Sequence, residues 1–503
     1  MIVERLLRST MASLAIVAAS IAQPALAAEA AAGPADDLKI AIVVGANESR
    51  KSGLPALQFA DDDAIRAALL FRMAAAETTI LVDADSRTKQ HFPSETFRWL
   101  AHADSPTTTN LRLALDAAVK RSREVHGREP ARKTHVYLVV SAHGGRSSEG
   151  EGAFMLDDGP FWRSDLYERL LAHTQPTAFG SADVDYVHLI IDSCYSQNAV
   201  SDRGGGATIP TDGHRMSAIS QRLADYPHVG VILATNESGK TQEWDLYQGG
   251  IFSHQILSAL LGAADVFSPG APGSSPTPKP DQVVNYTEAA AFLQAVNAPM
   301  SPGNQNKLHT YVRPPGGDPV APLVRWHGQN VPRLHLKKNS GHMWVADSSG
   351  NRWVELNRDQ KFDALLVLPE RPDYNLFGAE TADDSEGKLI GPFKASPGPT
   401  IEDDSLSPPS YGGKQSRSPS ADPELKLLFN APYGPLQATI LQDRLFETPP
   451  GWDSSLDAGP PIYKRWWFWT ATAALVGGAV TTAIVLGSRN PSCPTPADCK
   501  NAR

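Results

Sequence analysis

The sequence predicts an α/β fold with a mostly parallel sheet flanked by helices, followed by a small β domain and one C-terminal transmembrane helix. Three observations lead to this expectation. Short apolar runs alternate with segments of helical periodicity between residues 36 and 265, the pattern becomes strand-like alternation from residue 331, and a long uncharged segment lies close to the C-terminus. Strands that alternate with helices imply a mostly parallel sheet covered on both faces.

Each element of the α/β part has its own pattern. Short apolar runs are typical of buried strands, and they cover residues 38–44, 79–82, 135–140, 186–191 and 229–234. Helical periodicity covers residues 60–75, 109–125, 164–171, 252–261 and 286–296. Ser164 is a candidate N-cap of the third helix, because its hydroxyl could accept a hydrogen bond from the first turn. We expect these elements to form one domain over residues 36–316.

A small β domain is expected over residues 325–395. Apolar positions alternate there around turn sequences that end at Gly341 and Gly350, which is typical of short antiparallel strands. Residues 396–424 are rich in Pro, Ser and Gly, a composition that predicts a solvated linker. Residues 425–463 have an ambiguous pattern, and we assign them as a juxtamembrane region.

The first 27 residues have the features of a secretory signal peptide. Arg5 and Arg8 give a positive start, residues 11–22 are an apolar run without charge, and small residues end at Ala27, as a signal peptidase requires. A buried first helix is the alternative, but the run has no polar face. We expect the mature chain to begin near Ala28.

Residues 464–488 are predicted to form the transmembrane helix. Residues 466–487 carry no charge, and a run of this length can cross a hydrocarbon core of ~30 Å. Trp466, Trp467 and Trp469 would lie at the interface, where aromatic residues are enriched. A buried helix of a soluble domain is the alternative.

The two terminal segments together predict a protein of the cell inner membrane. Residues 28–463, and with them any catalytic domain, would face the periplasm or exterior, and the tail over residues 489–503 would face the cytoplasm. Such ends conflict with an intracellular nucleotide-binding protein. The formal net charge of −9 argues against a nucleic-acid partner, because proteins that bind nucleic acid usually present a basic face.

Cysteine usage singles out one residue. Of three cysteines, Cys493 and Cys499 lie in the tail, so Cys194 is alone in the part predicted to be exported. An oxidising compartment normally favours paired cysteines, and an unpaired one is a candidate reactive thiol. The alternative is an inert buried cysteine.

A histidine and this cysteine follow two of the predicted strands. The strand over residues 135–140 leads into His143, and the strand over residues 186–191 leads into Cys194. The carboxyl ends of parallel strands line one edge of a sheet, and adjacent strands lie ~4.8 Å apart, so the two side chains could meet. An imidazole beside a thiol lowers the pKa of the thiol and accepts its proton. Gly144 leaves room for a substrate backbone, and its N–H could bind a developing oxyanion.

These residues carry a family resemblance. His143-Gly144 after one apolar strand, Asp192-Ser193-Cys194 after another, the residues 59–64 that open the first helix and the residues 249–253 before a later one resemble the caspase-like (clan CD) cysteine peptidases, in particular metacaspase-like bacterial members. The resemblance covers residues 38–316 and implies a caspase-like peptidase domain that acts on protein or peptide substrates with His143 and Cys194 as catalytic residues. The Gln-Ala-Cys sequence of animal caspases is absent, which disfavours cleavage after Asp.

The resemblance also implies a pocket for a basic substrate side chain. Its acidic residues would be Asp63 and Asp192, with Ser141 beside them, and two carboxylates near a nucleophile would bind Lys or Arg. The alternative is structural: Asp63 caps the first helix and Asp192 holds the loop before Cys194. Ala60 stands where the family usually has a cysteine, so the pocket is incompletely reproduced.

No cofactor or metal is expected from the sequence. Some members of the family depend on calcium, and Asp157-Asp158 could belong to an acidic cluster of that kind, but further ligands are not recognisable and solvated surface acids explain this pair as well. The leading hypothesis is a cysteine-type endopeptidase that cleaves after Arg or Lys. The alternative is a catalytically idle, membrane-anchored caspase-like protein that binds a partner or acts as a signalling scaffold.

Overall fold

A computed structural model describes most of the chain between residues 36 and 438. The described residues are 36–50, 53–92, 96, 100, 103–148, 151–176, 181–194, 223, 225–236, 242–267, 279–301, 308–326, 328–337, 341–358, 362–379, 387–406, 423–435 and 437–438. The segments predicted to be a signal peptide, residues 1–27, and a transmembrane helix, residues 464–488, lie outside this part. Within it, no helix is long and apolar enough to span a membrane.

Six strands form the main path of a central sheet. They are β1 (Leu38–Ala46), β2 (Glu77–Val82), β3 (Thr134–Arg146), β6 (Tyr186–Ser193), β7 (Val229–Asn236) and β11 (Leu308–Arg313). Their order is β11-β7-β6-β3-β1-β2. Neighbouring strands pair in parallel among β1, β2, β3, β6 and β7, and β11 pairs antiparallel with β7. This confirms the prediction of an α/β fold with a mostly parallel sheet.

A hairpin extends one end of the sheet. It consists of β4 (Gly152–Leu156) and β5 (Gly159–Trp162), and β4 pairs with the last residues of β3. A second, very short hairpin of β8 (Glu243–Trp244) and β9 (Gly249–Gly250) follows β7.

Helices cover both faces of the sheet. They are α1 (Ala60–Met73), α2 (Thr88–His91), α3 (Thr108–Arg128), α4 (Arg163–Arg169), α5 (Ile251–Ser258) and α6 (Tyr286–Asn297). One turn of π-helix over Ala259–Ala263 extends α5, and a 3₁₀ turn over Leu171–Thr174 follows α4. The predicted N-cap at Ser164 is wrong, because α4 begins at Arg163 and the Ser164 N–H donates to the Glu151 carboxylate at 2.9 Å.

Alternate residues of the strands enter two hydrophobic cores. Val43 and Tyr137 face the core formed with α1, α5 and α6, whereas Ile42 and Leu138 face the core formed with α3 and α4. Both faces of the parallel strands are therefore buried, which explains why these strands appear in the sequence as continuous apolar runs.

The remaining strands form smaller sheets. They are β10 (Val283–Asn285), β12 (Pro322–Arg325), β13 (Arg333–Leu336), β14 (Gly341–Asp347), β15 (Arg352–Arg358), β16 (Ala364–Val367), β17 (Arg371–Gly378), β18 (Lys388–Ala395) and β19 (Ile401–Glu402). Strands β14 and β15 pair antiparallel across the predicted turn at Gly350. The core on the α5 side continues into these strands through Met343 and Trp353, and the division of the chain into separate domains stays a prediction.

Candidate active site

Two neighbouring parallel strands place His143 and Cys194 side by side. The register of β3 and β6 pairs Ser141 with Asp192 and Ala142 with Ser193, so the next residue along β3 is His143, and the residue that follows the end of β6 is Cys194. His143 lies inside β3 and not beyond its end, because β4 extends the pairing as far as Arg146. Both side chains are half-buried, and Cys194 forms no disulfide bond within the described part of the chain.

The imidazole of His143 is held from two directions. Its Nε2 donates to the carbonyl oxygen of Pro55 at 2.7 Å, and the side chain is hydrogen-bonded to Cys194. A carbonyl oxygen only accepts, so Nε2 carries a hydrogen and Nδ1 is the nitrogen left to exchange a proton with the thiol. The hydrogen bond with Cys194 is the main cause that raises the pKa of His143 above its ordinary value; burial opposes it, and Pro55 and Glu243 add to it.

Gly144 lies directly against the backbone of Cys194. A Cβ built on it would overlap the carbonyl group of Cys194 and lie 2.6 Å from the Ser193 hydroxyl oxygen. The backbones of β3 and of the Cys194 turn can approach this closely only without a side chain. The predicted use of the Gly144 N–H for an oxyanion stays a prediction.

The two predicted pocket acids meet at the start of α5. Asp63 in the first turn of α1 accepts from the Gly250 N–H at 2.9 Å, and Asp192 accepts from the N–H and hydroxyl of Ser253 at 3.1 and 2.7 Å. A Cβ on Gly250 would lie 2.5 Å from one oxygen of Asp192 and 3.0 Å from one of Asp63. The hydroxyl of Ser141 donates to Asp63 at 3.4 Å. The structure therefore brings all three predicted residues together.

This acidic pair is closed off from solvent. Asp63 is 3% exposed and Asp192 is 6% exposed, and the cavity beside them measures about 20 Å³, room for about one water molecule. Burial raises the pKa of Asp63 well above its usual value, the nearby Arg66 guanidinium opposes this, and Asp192 raises the pKa further. Nη1 of Arg66 lies 3.7 Å from Oδ1 of Asp63, whereas the Gly250 N–H donates to Oδ2 of the same carboxylate.

Two further residues contribute to the candidate site and were not identified from the sequence. Pro55 supplies the carbonyl that holds His143, and the half-buried Glu243 accepts from the Gln58 N–H at 2.9 Å and the Phe59 N–H at 2.8 Å. Burial raises the pKa of Glu243; the two backbone N–H groups and the positive charge of His143 oppose that shift. Neither residue belongs to a recognisable motif, and only the conformation of the chain places them here.

The Asp157-Asp158 pair has two separate roles. Asp158 accepts from the N–H and hydroxyl of Thr108 at 2.7 and 2.9 Å at the start of α3. Asp157 shares a hydrogen bond with Asp83, and burial followed by this contact raises its pKa to about 7. Within the described ranges, no group of three or more His, Cys, Asp or Glu side chains is arranged to hold a metal ion.

Comparison with known proteins shows a distant structural likeness. No protein-family model matches the sequence, and no curated protein matches it. Among solved structures, the chain is similar to caspase-1 from Spodoptera frugiperda at 11% sequence identity and a TM-score of 0.31, over 56% of this chain and 87% of that chain. A likeness at this level carries no functional argument, so the functional assignment depends on the geometry of His143, Cys194 and their neighbours.

Proposed function

We propose that this chain is a cysteine-type endopeptidase that hydrolyses peptide bonds of protein or peptide substrates through Cys194 and His143. The observation that carries the proposal is the hydrogen bond between the two side chains at the carboxyl ends of adjacent parallel strands, with the imidazole fixed on its other side by Pro55. A thiol paired with an oriented imidazole is the arrangement that nucleophilic cysteine catalysis requires.

The reaction follows from this geometry. The thiol proton passes to Nδ1 of His143, and the thiolate attacks the carbonyl carbon of the scissile bond. The Gly144 N–H is proposed to stabilise the oxyanion that forms. The imidazolium then donates its proton to the leaving amine as the C–N bond breaks, and the acyl group stays on Cys194 as a thioester. A water molecule, deprotonated by His143, attacks this thioester; the carboxylic acid is released, and the Cys194 sulfur takes the proton back from His143. These steps use no cofactor.

We also propose that the cleaved bond follows Arg or Lys. Asp63 and Asp192 both present a carboxylate oxygen next to Gly250, and their mutual repulsion contributes to the raised pKa of Asp63. A substrate cation between them would relieve that repulsion and make charge-assisted hydrogen bonds. The cavity is too small for such a side chain as it stands, so binding must displace the residues around Gly250.

The test of the dyad is a pair of substitutions. We expect Cys194→Ala and His143→Ala each to abolish hydrolysis of a peptide library and to leave the thermal unfolding temperature nearly unchanged, since neither side chain fills a core. Iodoacetamide should modify Cys194 in the wild type and react much more slowly in His143→Ala. Wild-type hydrolysis rates in Cys194→Ala would refute the peptidase assignment.

One observation favours the alternative, a catalytically idle scaffold. Both pocket acids already have internal partners, Asp63 with Gly250 and Asp192 with Ser253. These partners lie at the start of α5, so they differ from the structural roles expected from the sequence, in which Asp63 caps α1 and Asp192 holds the loop before Cys194. An idle protein would keep these contacts and show no enhanced reactivity at Cys194. The alkylation experiment separates the two hypotheses, because it does not require the natural substrate.

We further propose export and membrane anchoring, on the grounds of the two terminal apolar segments. The mature protein should begin near residue 28 and remain in the membrane fraction after a carbonate wash. Deletion of residues 464–503 should release it as a soluble periplasmic protein. Recovery of the full-length chain in the soluble fraction would contradict the anchor.

A further inference from the structure

The carbonyl that holds His143 belongs to residues 53–59, an irregular segment that forms the last part of the connection between β1 and α1. Residues 53–56 of this segment are exposed, so the body of the protein does not bury the acceptor at Pro55. A hydrogen bond of 2.7 Å to the imidazole requires this segment to be held in place by other contacts.

Glu243 makes such contacts. One of its carboxylate oxygens accepts from Gln58 at 3.0 Å and from Phe59 at 2.8 Å, and the other accepts from Gln58 at 2.9 Å. Hydrogen bonds from backbone N–H groups to a carboxylate are charge-assisted and stronger than neutral ones. Glu243 is the first residue of the β8–β9 hairpin and pairs there with Gly250, the residue that contacts Asp63. The hairpin therefore joins the support of His143 to the acidic pair.

We propose that Glu243 is a positioning residue for His143: its carboxylate holds the Pro55 carbonyl against the imidazole and favours the imidazolium formed when Cys194 loses its proton. The inference depends on the peptidase function proposed above and identifies a third side chain for it. The two roles of Glu243 can be separated. Holding the Pro55 carbonyl in place needs only a hydrogen-bond acceptor, whereas favouring the imidazolium form of His143 needs a negative charge.

The electrostatic part has support from both partners. Glu243 contributes to the raised pKa of His143, and His143 in turn lowers the pKa of Glu243. The other titratable side chains that shift the pKa values of His143 and Glu243 are the Cys194 thiol, which faces the imidazole, and Asp192, which repels Glu243. Replacement of the carboxylate by a neutral amide should therefore make His143 easier to deprotonate.

Arg87 provides a matched control. Its guanidinium donates to the side chains of Gln58 at 3.0 Å and Gln248 at 2.9 Å, and it lies 4.5 Å from the centre of the Phe59 ring. It thus joins the same hairpin to the same segment as Glu243 does. Within the described part of the chain, Arg87 is not among the main causes of the raised pKa of His143.

The experiment measures alkylation of Cys194 by iodoacetate as a function of pH in the full-length protein. Mass spectrometry of the peptide that contains Cys194 gives the rate, because Cys493 and Cys499 also react. Iodoacetate is negatively charged, so it reacts fastest when Cys194 is a thiolate and His143 is still an imidazolium. The rate should rise and then fall with pH, and the fall reports the deprotonation of His143.

We expect Glu243→Gln to move the falling limb to lower pH by roughly half a unit or more, while Arg87→Gln leaves it in place. An unmoved limb in Glu243→Gln, or an equal shift in Arg87→Gln, would overturn the inference. Should Glu243→Gln fail to fold, Glu243→Asp replaces it: its carboxylate lies one methylene further away, so a smaller shift in the same direction is expected, and no shift would contradict the proposal.

His143→Ala distinguishes this inference from the proposed function. The falling limb should disappear in this variant. If His143→Ala has the same pH profile as the wild type, the dyad itself is wrong. If His143→Ala loses the limb but Glu243→Gln keeps it unchanged, the dyad stands and only the role of Glu243 is wrong.

Discussion

At the scale of single residues, two adjacent glycines of β3 offer a sharp comparison. A Cβ on Gly144 would meet the backbone of Cys194, whereas a Cβ on Gly145 would meet the sulfur of Met155 at 2.6 Å. Backbone atoms cannot move away without displacing the nucleophile, but the end of a methionine side chain is flexible and can adapt.

We therefore predict that Gly144→Ala lowers kcat/KM by about 100-fold or more, since displacements of about 1 Å at a reacting group have effects of that size. The overpacking should also lower the free energy of unfolding by about 1–3 kcal/mol. Gly145→Ala is the control and should retain most activity. Peptide hydrolysis and urea denaturation of both variants provide the test, and similar kinetics for the two would contradict it.

A second prediction concerns the proposed basic specificity. A charge-assisted hydrogen bond contributes about 1.5–3 kcal/mol, which corresponds to about 10- to 150-fold in kcat/KM. Asp63→Asn and Asp192→Asn should each depress cleavage after Arg by such a factor and affect cleavage after an uncharged residue far less. Profiling on a peptide library measures both. A preference for Asp, Asn or an apolar residue would show that the acidic pocket is misassigned, while the dyad would be unaffected.

The site residues differ in how far the sequence could predict them. His143 and Cys194 could be predicted because each follows an apolar run, and the sheet itself places such residues side by side. Pro55 and Glu243 could not, because their positions depend on the conformation of irregular segments that have no periodicity. Arg66 pairs with Asp63, three residues earlier on α1, and this spacing is visible in the sequence. The importance of the ion pair could not be predicted, because it depends on the burial of Asp63.

At the scale of elements, a buried charged cluster joins α5 to the β14–β15 pair. Glu355 accepts from His254 at 3.2 Å and from Arg352 at 2.9 Å, and it also forms a hydrogen bond with His342. Burial would raise the pKa of Glu355, but Arg352 and the hydrogen-bonded His342 and His254 hold it well below the usual range. Since α5 begins beside Asp192, this cluster fixes the helix that supports the candidate site.

We predict that Glu355→Gln destabilises the protein by about 3–5 kcal/mol, because removal of one partner leaves buried charges uncompensated. The folded-state pKa of Glu355 is depressed, so its contribution is present above the ordinary glutamate pKa and is lost as pH falls below it. Urea denaturation at pH 7 measures the effect. Glu370→Gln, at an exposed position, should stay within about 0.5 kcal/mol of the wild type; an equal loss in both variants would argue against the cluster.

The elements were predictable where one pattern ran for several residues. The five parallel strands and the long helices lie where apolar periodicity placed them. The β4–β5 hairpin was missed, although Asp158-Gly159 is a turn sequence between apolar residues and Gly159 has a φ of +140°. Strand β11 was not predicted either, and its antiparallel direction depends on the path of the chain and not on the local pattern.

At the scale of the whole molecule, carboxyl groups with raised pKa values affect stability over a wide pH range. Burial is the largest cause for each: it raises the pKa of Asp61 to about 6, and those of Asp157 and Asp265 to about 7. An unfolded aspartate titrates near ~3.9, so the folded protein binds more protons than the unfolded chain between that pH and about 7. The stabilisation is complete below the unfolded pKa and is lost as pH rises towards 7.

Asp157 is the group at which this effect can be tested. Its hydrogen bond with Asp83 requires a proton, and Glu48 adds repulsion while Arg50 relieves part of it. Asp157→Asn supplies a permanent N–H donor to Asp83, so the variant should unfold at a higher temperature than the wild type at pH 8 and at nearly the same temperature at pH 5. Asp158→Asn is the control, because it weakens the acceptor for Thr108 and should lower the unfolding temperature at both pH values. The unfolding temperatures of the wild type and the two variants provide the test. If Asp157→Asn raises the unfolding temperature equally at pH 5 and pH 8, no proton is shared between Asp83 and Asp157.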